Sequence, residues 1–183
     1  MIAEALETAR AHDIHQSSTG TTIGPLHGLP YTLKDMYAVR GYDSSYGYSS
    51  LCNRPESESS VIHSTLSRLG GILLAKTNVP QTGLAFECNN PVWGVTQNPV
   101  VTGFTCGGSS GGEAAVLGRG GSVVGFGSDI GGSLRIPAGW SGIFSLKPVN
   151  GRVTRRGHVS SSPPLAPVTI EGHAPLFSSL EES

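Results

Sequence analysis

Two glycine-flanked serines and one lysine are the residues of this chain whose types and spacing could do chemistry. Ser109 lies in a Gly-Gly-Ser-Ser-Gly-Gly-Glu run spanning 107–113, and Ser133 in a Gly-Ser-Asp-Ile-Gly-Gly-Ser-Leu-Arg-Ile-Pro-Ala run spanning 127–138. Glycine admits backbone conformations that a side chain forbids. Each turn can therefore bring main-chain N–H groups close to a reacting group while presenting a hydroxyl. Between them, Val123 to Phe126 read as a buried strand, and a strand ending in a tight turn can hold a nucleophile at a sheet edge. Clusters of Gly and Ser also form flexible linkers, but linkers rarely alternate with core-like segments, and Glu113 to Leu117 are mostly good helix formers. The lysine is Lys34, beside Leu33, Met36 and Tyr37. Desolvation there would depress its pKa and make the amine a usable base, although local sequence alone favours the commoner reading of a solvated surface cation.

The elements that must position these groups read as an α/β fold. Ile2, Leu6 and Ala9 mark turns of a short helix, followed by a polar loop from Ser17 to Gly24. Tyr31 to Met36 reads as a strand with Lys34 near its end. After a Ser-, Tyr- and Gly-rich segment from Tyr42 to Glu58, read as a surface loop, Val61, Ile62, Leu66 and Leu69 give one face of a helix. That helix has Ser59 or Ser60 as N-cap and Gly70-Gly71 as its stop, and Ile72 to Ala75 follow as a buried strand. Gly83 to Asn98 reads as an ordered loop across the sheet edge, and Ile143 to Leu146 as a short strand stopped by Lys147-Pro148. From 153 to 183 Arg, Ser and Pro dominate, and the expectation is an irregular tail.

Composition narrows the function classes. The 183 residues suit one domain with a substantial core. A formal charge of −1 implies no broad basic field, which argues against a nucleic-acid partner or an anionic membrane surface. Cys52, Cys88 and Cys106 are far apart, and neither they nor the six histidines show a metal-ligand spacing, so no metal and no cofactor is expected. No apolar run approaches bilayer length, and the acidic start Met1 to Glu7 is unlike a secretory signal; a soluble cytoplasmic protein is the expectation. Neither glycine turn has the lysine spacing of a phosphate-binding loop.

Taken in order, the segments 24–35, 73–81, 107–113, 127–138 and 142–148 resemble the amidase signature family, most closely its fungal acetamidase-like and fatty-acid-amide-hydrolase-like members. The resemblance covers about 24–152, and its ordered set of motifs is specific where a single Gly-Gly-Ser is not. It implies a mixed β-sheet core flanked by helices and hydrolysis of a non-peptide carboxamide through an acyl-enzyme. It places Ser133 as nucleophile, Ser109 as the bridging serine after a cis peptide bond, and Lys34 as base, overturning the local reading of Lys34. It further implies an oxyanion hole made by the N–H groups of Ile130, Gly131, Gly132 and Ser133, with Ser110, Asp129 and Arg135 in supporting hydrogen-bond and ion-pair roles. The implied partner is a small amide substrate, with homo-oligomerisation possible in the family. The Lys34–Ser109 and Ser109–Ser133 separations, 75 and 24 residues, agree with the family's spacing.

Members of the family are usually more than twice as long, so the chain reads as a truncated, single partial amidase domain. Two functions follow: a serine amidase, or a non-catalytic relic or interaction fragment that keeps the motifs without a closed pocket. An amidotransferase of the same family is a less favoured branch.

Overall fold

The computed structural model describes residues 1–159 and the backbone of a strand at Gly172–Phe177. Alternation along one strand, β1 (Pro30–Lys34), organises the rest. Successive side chains of a strand point to opposite faces. Tyr31 and Leu33 join Tyr37, Val39 and Val124 in a core under helix α2 (Val61–Arg68), through Ile62 and Leu66. Thr32 and Lys34 face the other way, toward helix α3 (Gly111–Gly118) and the turn before it.

Strand β2 (Ile72–Thr77) pairs in parallel with β1, placing Thr77 opposite Lys34. Helix α2 makes the crossover between them, which is the expected connection for parallel neighbours. Ser60 caps α2 by accepting a hydrogen bond from the His63 N–H. On the other side of β1, β5 (Val124–Asp129) is also parallel, with Gly125 opposite Thr32. The five-stranded sheet has the order β2-β1-β5-β7-β6, with β6 at Phe144–Ser145 and β7 at Gly172–Phe177. Strand β7 is antiparallel to both its neighbours, so the sheet is mixed. A separate two-stranded ribbon pairs β3 (Asn89–Asn90) with β4 (Gly94–Val95) inside the stretch read as an ordered loop.

The structure departs from the sequence reading in five places. Helix α1 (Ile2–Thr19) runs three residues into the expected loop and stops at Gly20, whose left-handed φ of 70° closes it with an N–H bond to the Gln16 carbonyl, while the Ser17 and Thr19 hydroxyls donate to the carbonyls of Asp13 and His15 within the last turns. It turns Ala5 and His12 inward and leaves Ile2 and Leu6 exposed, the small Ala5 allowing close approach to its neighbours. Within the supposed surface loop, Ser44, Ser45 and Tyr46 are buried, since the Asp35 carboxylate accepts hydrogen bonds from the Ser45 hydroxyl and the Tyr46 N–H at 3.0 and 2.6 Å. Helix α4 (Arg135–Ser141) follows the second glycine turn, and Pro137 is tolerated because it lies in the first turn, where backbone N–H groups have no helical partner. Finally, the tail expected to be irregular from 153 onward contributes β7, whose pairing fills the edge of β5; residues 160–171 and 178–183 of that tail lie outside the described residues.

Candidate active site

Lys34 is fully buried at the C-terminal end of β1. Its Nζ donates to Ser109 Oγ at 2.7 Å, to Ser128 Oγ at 3.0 Å and to the Ser128 carbonyl at 3.4 Å. The amine thus spans from the turn before α3 to the end of β5. Ser109 is buried, and the Gly108–Ser109 peptide bond is cis. Gly107, at φ 79°, starts this turn in the left-handed region that glycine tolerates, where a Cβ would also lie 2.7 Å from the Pro137 backbone.

Ser133 is brought beside this pair by its own backbone: its carbonyl accepts a hydrogen bond from the Ser110 N–H at 3.1 Å, tying the two glycine turns together. Ser110 is buried, and its hydroxyl donates to the Ser128 carbonyl at 3.3 Å. Of the three residues singled out in the sequence, Lys34 and Ser109 are hydrogen-bonded to each other, while among the described residues no hydrogen bond joins the Ser109 and Ser133 hydroxyls.

Asp129, fully buried at the end of β5, holds the second turn. Its carboxylate accepts from the N–H groups of Gly132 at 2.8 Å, Leu134 at 3.0 Å and Arg135 at 3.4 Å, and forms a two-pronged pair with the Arg135 guanidinium at 3.0 and 2.9 Å. Burial alone would raise its pKa, but Arg135 and these N–H donors outweigh it and hold the carboxyl down at about 2. The Gly132 N–H, expected among the oxyanion donors, is therefore committed to Asp129. The N–H groups of Ile130, Gly131 and Ser133 meet no acceptor among residues 1–159.

Four residues around Lys34 were not anticipated: Ser128, Glu113, Thr32 and Thr77. Ser128 is one residue before Asp129 on β5. Glu113, read only as a helix former, is fully buried and accepts from Thr32 and Thr77, each at 2.5 Å. The period of two along β1 is the signal that could have found Thr32, since it shares a face with Lys34.

Among the described residues no cluster of three or more His, Cys, Asp or Glu side chains is placed to hold a metal. A cavity of about 600 Å³ adjoins Asp35, Lys76 and Trp93. Lys76 there donates to the Asp43 carbonyl and the Ser44 hydroxyl and pairs with Asp35 at 3.4 Å, so its protons are engaged within the protein.

A family model described as Amidase matches residues 1–173. The chain belongs to the amidase family. It is 45% identical to "Amidase 2" of Gibberella moniliformis over 169 residues, which is 92% of this chain and 31% of that protein. It is 44% identical to an acetamidase of Emericella nidulans over 149 residues, 81% of this chain and 27% of that protein. Among solved structures, a fatty acid amide hydrolase superposes with a TM-score of 0.92 at 37% identity, covering 97% of this chain and 31% of that one. The chain therefore spans about a third or less of the length of these amidases. Among the described residues no helix is long and apolar enough to cross a membrane.

Proposed function

We propose that this amidase-family chain carries a serine-hydrolase centre that cleaves a linear, non-peptide carboxamide, with Ser133 as nucleophile, Ser109 as relay and Lys34 as base. The observation that carries the reading is the 2.7 Å hydrogen bond between buried Lys34 and Ser109, which the neutral amine can accept from the Ser109 hydroxyl, with Ser133 bound to the next residue, Ser110, through its backbone. A serine hydroxyl attacks poorly until a base takes its proton, and an amine out of water is available in the neutral form that can do so. In this reading Ser133 Oγ bonds to the amide carbon as its proton moves to Ser109 and that of Ser109 moves to Lys34. The C–N bond then breaks, and the departing amine takes a proton back along the same path. Water, activated by the same relay, releases the acid. The missing Ser109–Ser133 hydrogen bond forms when substrate orders the site, as catalytic hydrogen bonds commonly tighten in the substrate complex. The N–H groups of Ile130, Gly131 and Ser133 face the carbonyl oxygen as it gains charge, each worth about 3 kcal/mol. The reaction so written needs no cofactor.

The second reading is a non-catalytic fragment of a partial amidase domain that retains the turns. Phe144 on β6 and Leu146 and Val149 just after it, apolar side chains left exposed, favour it. Such a surface also suits self-association. A fluorophosphonate probe separates the readings. Covalent labelling of Ser133, abolished by Ser133→Ala and sharply slowed by Lys34→Met, is the expected result; folded protein that takes no label would leave the fragment reading standing.

A further inference from the structure

We propose that Glu113 is a positioning residue whose carboxylate, held by Thr32 and Thr77, is the buried counter-charge that sets the proton affinity of Lys34. The inference rests on the serine-amidase reading only for its catalytic consequence.

Three strands build the seat for this carboxylate on the face of the sheet that carries Lys34. Thr32 precedes Lys34 by two residues on β1, and Thr77 is the register partner of Lys34 on β2. Their hydroxyls donate to Glu113 Oε2 and Oε1 at 2.5 Å each, so both carboxylate oxygens are fixed. The third wall is Gly125 on β5, opposite Thr32, where a Cβ would lie 1.8 Å from Oε2; the strand approaches this closely because the side chain is missing. Glu113 also lies four residues after Ser109, at the start of the helix that the Lys34-bound turn leads into.

The surrounding charges leave Lys34 as the cation it answers. On β1 the ionisable neighbour is Lys34, which also interacts electrostatically with it. From β2 comes the neutral Thr77, while Lys76 is engaged with Asp35. Asp129 at the end of β5 is paired with Arg135 from α4. The Cys88 and Cys106 thiols pack against Gly111, and Cys88 also interacts electrostatically with Lys34, as a thiol rather than a fixed charge. Burial pushes the Glu113 carboxyl up to about 7, with Thr32, Thr77 and Lys34 pulling against it, so it is ionised on the alkaline side of neutrality. There its negative charge favours the ammonium form of Lys34, strengthening the base that receives the serine proton.

The test is the titration of Lys34 itself, followed by NMR of ¹³C-lysine-labelled protein; the chain has three lysines, Lys34, Lys76 and Lys147. Glu113→Gln keeps the shape and a hydrogen-bonding head but removes the charge. The Lys34 midpoint is expected to fall by about one pH unit. The pH profile of Ser133 labelling should shift downward with it, and its plateau should drop about tenfold because a weaker base remains. Thr77→Val, which removes one donor and disfavours the carboxylate, should move the midpoint in the same direction by less, and it serves as the test where Glu113→Gln does not fold. An unchanged Lys34 midpoint in the folded variant overturns the proposal, even if labelling is slowed. Wild-type protein that takes no label instead overturns the amidase reading, and the Lys34 titration still decides the role of Glu113.

Discussion

At the scale of single residues, Asp129 shows how one side chain can make a turn usable. Its carboxylate is fully buried, yet Arg135 and three N–H groups satisfy it, and the order of the second glycine turn follows from those bonds. Asp129→Asn removes the charge and turns an NH₂ group toward N–H donors. We expect a loss of about 2–3 kcal/mol in chemical denaturation, since a buried hydrogen-bonded carboxylate is costly to replace while its exposed partner can return to water. The variant should also take label at Ser133 far more slowly, because the N–H groups of Ile130, Gly131 and Ser133 lose their direction. Wild-type stability accompanied by slow labelling would instead assign Asp129 to the chemistry alone. The proposed relay makes a separate residue-scale prediction. Ser109→Ala leaves Lys34 bonded to Ser128 but interrupts the proposed path to Ser133, and labelling should fall by about 100-fold or more while the melting temperature drops by only a few degrees.

At the scale of elements, the design is a sheet face emptied to admit a polar centre. Gly125 tests this directly. Its Cβ would overlap the Glu113 carboxylate, and neither β5 nor α3 has room to retreat, so Gly125→Ala should destabilise the fold by several kcal/mol. Shortening the offending side chain in Gly125→Ala/Glu113→Ala should recover part of that loss, a coupling that a double-mutant cycle would read; strictly additive losses would mean the two positions do not meet. On the opposite face, Leu33→Ala should cost about 3 kcal/mol for the cavity it leaves among Tyr31, Tyr37 and Ile62.

This two-faced strand also explains what was legible. Strand β1, helix α2 and strand β2 carry local signals: β-branched and aromatic residues, a capping serine and a Gly-Gly stop. The meeting of Lys34 with Ser109 was readable through the ordered motifs, whereas composition around Lys34 pointed to the surface. Its burial depends on α3 and the Ser109 turn folding over it from 75 residues away, and a local window holds none of that. The same holds for Glu113, whose hydroxyl partners are 81 and 36 residues distant. Strand β7 was missed because its pairing partner, rather than its own sequence, makes it a strand.

At the scale of the whole molecule, these buried groups set opposing slopes on stability as pH changes. Asp129 has a folded pKa below its unfolded one, so it contributes stability above about pH 4 that is lost as pH falls toward 2. Glu113 runs the other way. Unfolded, its carboxyl ionises near 4.5; folded, it holds its proton to about 7, so between these values the unfolded state binds fewer protons and rising pH favours unfolding. His12 and His63 oppose Glu113 in part of this window. Burial lowers the pKa of both, so their neutral forms suit the fold and they add stability as pH rises toward 6.5. The total curve mixes these contributions, but the difference between wild type and Glu113→Gln cancels the histidines. Melting temperatures measured from pH 4 to 8 should show the wild type losing ground to Glu113→Gln steadily from about 4.5 to 7, with a constant gap beyond. A gap independent of pH would mean that Glu113 ionises in the folded protein as it does in the unfolded chain, and that the three-strand seat shelters it far less than its burial requires.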